Sequence, residues 1–127
     1  MKNIKIVDAN IVLRYLIPDN VVSSNLAVEI LEKNKIVLLE TVVMEVIFVL
    51  QKVYKITRRD IAEELLDFCK SEGVQVENEK IVLYAIKQYG IKNLDFVDLL
   101  LYSYHVHAGY EVITFDKDLN KLIDNLR

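Results

Sequence analysis

The stretch Asn3-Ile4-Lys5-Ile6-Val7-Asp8-Ala9-Asn10 predicts a short apolar strand that ends in an acid and leads into a helix. The run Val112-Ile113-Thr114-Phe115-Asp116 repeats this arrangement near the end of the chain. Short apolar strands that alternate with helices are typical of a mainly parallel sheet covered on both faces. Such sheets place ligands beyond the carboxyl ends of their strands, so we expect Asp8 and Asp116 at one edge of the sheet.

The rest of the chain continues this alternation of strands and helices. We therefore predict an α/β fold, a single domain over residues 1–127 with a central, mainly parallel sheet of four to five short strands flanked by helices. Thr41 is the predicted N-cap of the helix that carries Glu45, and Thr57 and Asn78 are predicted caps of two later helices. Strands are expected at about 3–8, 36–39, 74–77 and 111–115, and helices from about 9 to Pro18, at about 21–33, 41–54, 57–72, 79–89 and 96–108, and at the end of the chain.

Two further acids lie in apolar surroundings. Glu45 interrupts the apolar run 42–50, and no basic residue lies three or four positions away from it. Asp98, with Asp95 one turn before it, opens the apolar segment Leu99-Leu100-Leu101-Tyr102. A buried and unpaired carboxylate costs several kcal/mol, on the order of the stability of a whole domain. Four such acids therefore indicate a shared cation, most naturally a hard divalent metal held by oxygen ligands.

Composition limits the classes of protein that this chain can belong to. With 127 residues, 53% hydrophobic and 28% charged, it is expected to form one globular domain. The net charge of −3 gives no overall attraction to nucleic acid, so a polyanionic substrate needs a local basic patch or a metal. No Gly-rich phosphate loop or nucleophile elbow is present, which argues against P-loop enzymes and serine hydrolases.

The sequence also bounds the compartment in which we expect the protein. Cys69 is the single cysteine, which excludes an internal disulfide or a cysteine-based zinc cluster and favours a reducing cytoplasm. Asp8, Asn10 and Arg14 interrupt the N-terminal apolar stretch, which makes it a poor signal peptide. Apolar runs stay short of the roughly 20 residues that span a bilayer. We therefore expect a cytoplasmic protein with no membrane partner.

The pattern resembles the PIN domain, a family of metal-dependent ribonucleases, and in particular its short single-domain members, the VapC-like toxins. The resemblance covers nearly the whole chain and rests on the order of four pieces. They are Val7-Asp8-Ala9-Asn10, the lone Glu45 in an apolar helix, Leu94-Asp95-Phe96-Val97-Asp98, and Thr114-Phe115-Asp116-Lys117-Asp118. In one departure from the family pattern, residues 121–127 look helical where such chains often end with a further strand.

The resemblance implies a site and an activity. Asp8, Glu45, Asp98 and Asp116 match the acids that form the catalytic metal site for Mg²⁺ or Mn²⁺ in that family. Asn10, Asp95, Thr114 and Asp118 match supporting positions, of which the two acids are less consistently catalytic. The expected function is an endoribonuclease that acts as the toxin of a type II toxin–antitoxin pair. Expected partners are an RNA substrate, a cognate antitoxin protein and a second copy in a homodimer. Arg14 and Lys117 are weaker candidates for contacts with RNA phosphates.

Alternative interpretations remain open at this point. Asp8, Asp95 and Asp116 also fit ordinary helix caps or turn residues. A catalytically degenerate PIN domain that only binds RNA or protein has the same fold. A phospho-accepting receiver domain is similar in length and build, but it needs an acidic pair near the first strand and a phospho-acceptor aspartate closing the third. The sequence offers only Asp8 after the first strand, and Glu40 and Glu77 close the central strands.

Overall fold

Three parallel strands form the sheet of the computed structural model, which describes residues 3–125. The strands are β1 (Asn3–Ile6), β2 (Asn34–Leu38) and β3 (Val74–Val76), and they lie in the order β1-β2-β3. Because all three run in parallel, their carboxyl ends meet at one edge of the sheet. The chain leaves that edge at Asp8 after β1, at Glu40 after β2 and at Glu77 after β3.

The helices of the described residues agree with the prediction to within a few positions. Local side-chain caps explain several of their starts: Thr57 Oγ1 accepts a hydrogen bond from the Asp60 amide at 3.2 Å, as the sequence predicts. The helices are α1 (Ala9–Leu16), α2 (Val21–Lys33), α3 (Glu40–Lys52), α4 (Arg58–Cys69), α5 (Glu79–Tyr89), α6 (Phe96–Ala108) and α7 (Lys117–Asp124).

One main apolar core joins the sheet to the helices. Ile36 and Leu38 of β2 are completely buried in it, as is Leu99 of α6. The packing of α5 along α6 is reinforced by a buried hydrogen bond of 2.6 Å from the Ser103 hydroxyl to the Ile81 carbonyl. A smaller cluster attaches α7 to α6, and its buried members are Tyr102, Leu119 and Ile123. Asp95 and Asp98 therefore lie at the N-terminal end of a firmly packed helix, α6.

The prediction of a strand at 111–115 is wrong. Residues 111–116 form neither helix nor strand, and the side chains of Ile113 and Phe115 are essentially fully exposed. A strand needs a hydrogen-bonded partner, whereas β1 pairs only with β2 within the described part of the chain. Residues 3–125 thus contain three strands instead of the four to five expected, while the mixed α/β class and the parallel pairing are confirmed.

Two predicted caps also need correction. α3 begins at Glu40, one residue before Thr41, and the amide of Glu40 donates a 3.0 Å hydrogen bond to the Glu77 carboxylate. The Glu77 side chain, which is distant in sequence, therefore accepts the hydrogen bond at the start of α3 that was expected of Thr41. Asn78 occupies the cap position of α5 in a left-handed conformation, yet its side chain makes no cap bond and donates to the Tyr104 hydroxyl at 3.1 Å.

The described helices are also too short or too polar for a bilayer. Over residues 3–125, none has the length and apolar character needed to cross a membrane.

Candidate active site

The first turn of α6 brings two acids together with a third from the start of α7. Asp95 occupies the N-cap position of α6, but its side chain makes no capping hydrogen bond. Asp98 lies one turn further on and is partly buried. Burial raises the pKa of the Asp98 carboxyl, and the carboxylates of Asp116 and Asp95 raise it further. These three predicted site residues therefore share one electrostatic neighbourhood.

Glu45 approaches the same region from the opposite side of a cavity. The cavity lies between α3 and α6 and has a volume of about 600 Å³. Glu45 contributes to its wall from α3, while Asp95 and Asp98 contribute from α6. The cavity thus has acids on two facing helices. Most of the other lining residues are apolar or aromatic. They are Met44, Ile47, Phe48, Tyr89, Phe96 and Val97, together with Thr41 at the start of α3 and Gln51 and Lys52 at its end.

Asp116 is held in place by its own loop. Its carboxylate accepts a 2.8 Å hydrogen bond from the Leu119 amide and so caps α7. Its backbone amide donates to the Thr114 hydroxyl at 3.0 Å, and the Asn120 side chain donates to the Thr114 carbonyl at 2.9 Å. Thr114 therefore fixes the backbone from which Asp116 extends, while its role as a supporting residue of the site stays a prediction.

Among the described residues, no contact joins Asp8 to this group of acids. Its carboxylate accepts a 3.2 Å hydrogen bond from the Ile11 amide and caps α1 at the carboxyl end of β1. It neither lines the cavity shared by Glu45 and Asp98 nor contributes to the raised pKa of Asp98. Asn10 lies exposed in the first turn of α1. The convergence of Asp8 with the other three acids therefore stays a prediction, as does the supporting role of Asn10.

The remaining candidates do not line the cavity. Asp118 lines a separate groove with Lys92 and Lys121 instead of the cavity. The Arg14 guanidinium forms an ion pair of 3.1 Å with Asp19, which already occupies its charge. Lys117 is exposed beside Asp116 at the start of α7. Of the two predicted phosphate contacts, Lys117 has the more accessible charge.

The structure adds a polar network that the sequence did not predict. The Tyr104 hydroxyl donates a 2.7 Å hydrogen bond to Glu40, whose amide is bound by Glu77. The hydrogen bond to Glu40 raises the pKa of Tyr104, and burial raises it further. This network joins the middle of α6 to the carboxyl ends of β2 and β3. Glu40 and Glu77 were visible as acids at strand ends, but Tyr104, which donates to Glu40, is 64 residues away from it in sequence.

The donor set fits a hard divalent cation in its chemistry. All four predicted ligands are carboxylates, the oxygen donors that Mg²⁺ and Mn²⁺ prefer. Burial and, second, the carboxylates of Asp116 and Asp95 raise the pKa of Asp98, and a cation would stabilise its ionised form. Among residues 3–125, no three His, Cys, Asp or Glu side chains are grouped so as to hold an ion by themselves. A Mg²⁺ ion bound here would be held by one or two of these carboxylates together with several waters, as is usual for this ion.

Comparison with known proteins agrees with this architecture. The sequence model of the PIN domain family matches residues 5–124, which is nearly the whole chain. No curated protein matches this sequence significantly. No solved structure does so either.

Proposed function

The chain belongs to the PIN domain family, and we propose that it is a Mg²⁺- or Mn²⁺-dependent endoribonuclease. Members of this family are generally nucleases that use divalent metal ions. The observation that carries the proposal is the grouping of Asp95, Asp98 and Asp116 next to a cavity that Glu45 also lines, where burial and then the two neighbouring carboxylates raise the pKa of Asp98. Like charges collected beside a cavity are expected where a cation completes the site.

The residues of the site divide into ligands and supporting groups. Asp8, Glu45, Asp98 and Asp116 would hold the metal, which supplies a nucleophilic water at neutral pH and charge stabilisation at the scissile phosphate. Asp98 is best suited to a direct ligand role, because its carboxylate is free of hydrogen bonds to the described residues and partly buried. Lys117 would contact a phosphate next to the scissile one.

We further propose that this nuclease is the toxin of a type II toxin–antitoxin pair in the cytoplasm, acting as a homodimer. This assignment is supported by the similarity to short single-domain members of the family. A cognate antitoxin would cover apolar surface and place a basic side chain at the acids. Purification after co-expression with the neighbouring gene tests this, and recovery of a harmless protein without a partner would contradict it.

Cleavage of RNA tests the enzymatic proposal. Purified protein should cut RNA with Mg²⁺ or Mn²⁺, and chelation should abolish the cleavage. Asp98→Asn should lower the rate by more than about a hundredfold, since loss of a ligand should exceed the 10–100-fold typical of outer-shell partners. Asp118→Asn is the matched control, because this acid lies outside the cavity, and its effect should be much smaller. Full cleavage by Asp98→Asn, in a preparation free of contaminating ribonuclease, would contradict the mechanism.

A second candidate function is a degenerate PIN domain that binds RNA or protein without cutting. The specific observation in its favour is that, within residues 3–125, no three acids are grouped so as to hold a metal ion. It predicts RNA binding that neither chelation nor Asp98→Asn changes. The receiver alternative gains no support, because β3 is followed by Glu77 and Asp8 is the one acid that directly follows β1.

A further inference from the structure

Arg58 makes two side-chain hydrogen bonds to the loop that precedes the acids of α6. It is the first residue of α4 and is partly buried. Its Nε donates a 3.1 Å hydrogen bond to the carbonyl of Tyr89, the last residue of α5. Its Nη2 donates to the carbonyl of Leu94, the residue before Asp95. One guanidinium therefore joins both ends of the loop that connects α5 to α6.

Aromatic packing extends this contact toward the acids. The Arg58 guanidinium carbon lies 3.8 Å from the centre of the Tyr89 ring, a cation–π geometry. The Tyr89 ring in turn packs edge-on against Phe96 at 6.2 Å. Both aromatic residues line the cavity together with Asp95 and Asp98. Arg58 thus contacts the wall of the site without reaching the cavity itself.

The loop held by Arg58 also packs closely against α4. A Cβ atom added at Gly90 would lie 2.8 Å from the Cβ of Ala62, a distance that ordinary side chains do not reach. Arg58 and Ala62 lie four residues apart, on the same face of α4. α4 therefore fixes this loop through both a polar clamp and a close backbone contact.

We propose that Arg58 is a positioning residue of the nuclease site, which sets the position of Asp95 and Asp98 by clamping residues 89–94. The inference rests on the proposed function only for its catalytic consequence; the clamp itself rests on the hydrogen bonds. Arginine suits this task because its planar guanidinium holds two acceptors in a fixed geometry, whereas lysine offers a single rotatable ammonium group. The positive charge also lies at the C-terminus of α5, where the helix dipole favours it.

Substitutions at two adjacent arginines test this role. Arg58→Met keeps the aliphatic stem but removes the donors, and Arg58→Lys keeps the charge without the fork. Arg59→Met is the matched control, since the Arg59 side chain is 83% exposed and pairs only with Glu63 at 3.4 Å. Three quantities are measured for each variant: kcat and KM for RNA, the Kd for Mn²⁺, and the exchange rate of the Leu99 amide, which donates the first hydrogen bond of α6 to Asp95.

Arg58→Met should lower kcat and weaken Mn²⁺ binding by about 10–100-fold, the range typical of groups that orient metal ligands. KM should change by less than about threefold, because the clamp does not touch the substrate. Exchange at Leu99 should accelerate relative to amides of α2, Arg58→Lys should give intermediate values, and Arg59→Met should match the wild type. If Arg58→Met does not fold, the comparison of Arg58→Lys with Arg59→Lys decides.

Two results would overturn the clamp. One is a folded Arg58 variant with wild-type kcat, Mn²⁺ affinity and Leu99 exchange. The other is uniform loss of amide protection across the protein, which would make Arg58 a general stabilising residue. If the wild type cuts no RNA or binds no Mn²⁺, the proposed function fails, whereas selective acceleration at Leu99 in Arg58→Met would still support the clamp.

Discussion

Ionisation of the Asp98 carboxyl is electrostatically unfavourable in the folded protein. Its pKa is raised by burial first and by the carboxylates of Asp116 and Asp95 second, and no basic group acts to lower it. An acid whose pKa is higher in the folded state than in the unfolded state destabilises the fold when it ionises. That cost is absent below the ordinary aspartate pKa, develops between the ordinary and the raised value, and is complete above the raised value.

The metal-free Asp98→Asn variant should therefore be more stable than the wild type at neutral pH. Asparagine keeps the shape of the side chain and removes the charge that the two neighbouring carboxylates oppose. The difference in free energy of unfolding should disappear as the pH falls below the ordinary range of aspartate. Urea denaturation in the presence of a chelator, from acidic to neutral pH, measures this. A variant less stable than the wild type at neutral pH would show that the Asp98 carboxylate is stabilised by contacts absent from this structure.

Tyr89 offers a second test with a definite sign. Its hydroxyl is buried and has no hydrogen-bond partner among the described residues, and such a group costs about 1–3 kcal/mol. Tyr89→Phe removes the hydroxyl while keeping the ring under Arg58, so stability should stay the same or increase. Tyr104→Phe is the control: it loses the bond to Glu40 and should cost about 1 kcal/mol. A large loss in Tyr89→Phe would indicate a buried water on this hydroxyl.

At the scale of the elements, local signals explain why most helices were predictable. Asp8, Thr57 and Asp116 each accept a hydrogen bond from an amide three residues later, a pattern that sequence shows directly. The start of α3 was missed because its amide is bound by Glu77, 37 residues away. The clamp by Arg58 was missed for the same reason, since its acceptors at Tyr89 and Leu94 are 31 and 36 residues distant.

The prediction of a strand at 111–115 failed for a different reason. The apolar, β-branched composition of these residues is typical of a strand, but a strand is defined by its neighbour, and sequence does not supply the neighbour. Asp116 precedes a helix, as expected, but it does not close a strand at the sheet edge with Asp8, because residues 111–116 form no strand. The sequence thus identifies candidate acids, whereas their arrangement depends on tertiary contacts that the sequence does not show.

Mutation of the exposed segment 111–115 tests whether it is a solvent-exposed loop or a packed strand. Substituting both Ile113 and Phe115 by serine should change the free energy of unfolding by less than about 0.5 kcal/mol, because both side chains face solvent. Leu119→Ala, four residues later at a fully buried position, should cost about 2–5 kcal/mol. Chemical denaturation compares the two. A loss above about 2 kcal/mol in the serine variant would mean that the segment packs in solution as the strand that its composition predicts.

For the whole molecule, a net charge of −3 sets how the protein can bind RNA. Without an overall attraction, affinity depends on a few local cations and on the metal. Arg14 is already paired with Asp19, and Lys33 with Glu29; among the described residues, the exposed cations near the acids include Lys117 beside Asp116 and Lys52 in the wall of the cavity. RNA binding by the protein should therefore involve few phosphate contacts.

This limit can be measured from the salt dependence of binding. Each phosphate neutralised on single-stranded RNA adds about −0.7 to the slope of log affinity against log salt, so one or two contacts predict a slope of about −0.7 to −1.4. Fluorescence anisotropy with the Asp98→Asn variant and a chelator avoids cleavage during the titration. Lys117→Gln should make the slope shallower by about 0.7, whereas Lys33→Gln should leave it unchanged because that charge is paired with Glu29. A slope steeper than about −3 would require an extended basic surface, which residues 3–125 of a single protomer do not offer beside the acids, and would point to a second copy that completes the RNA site.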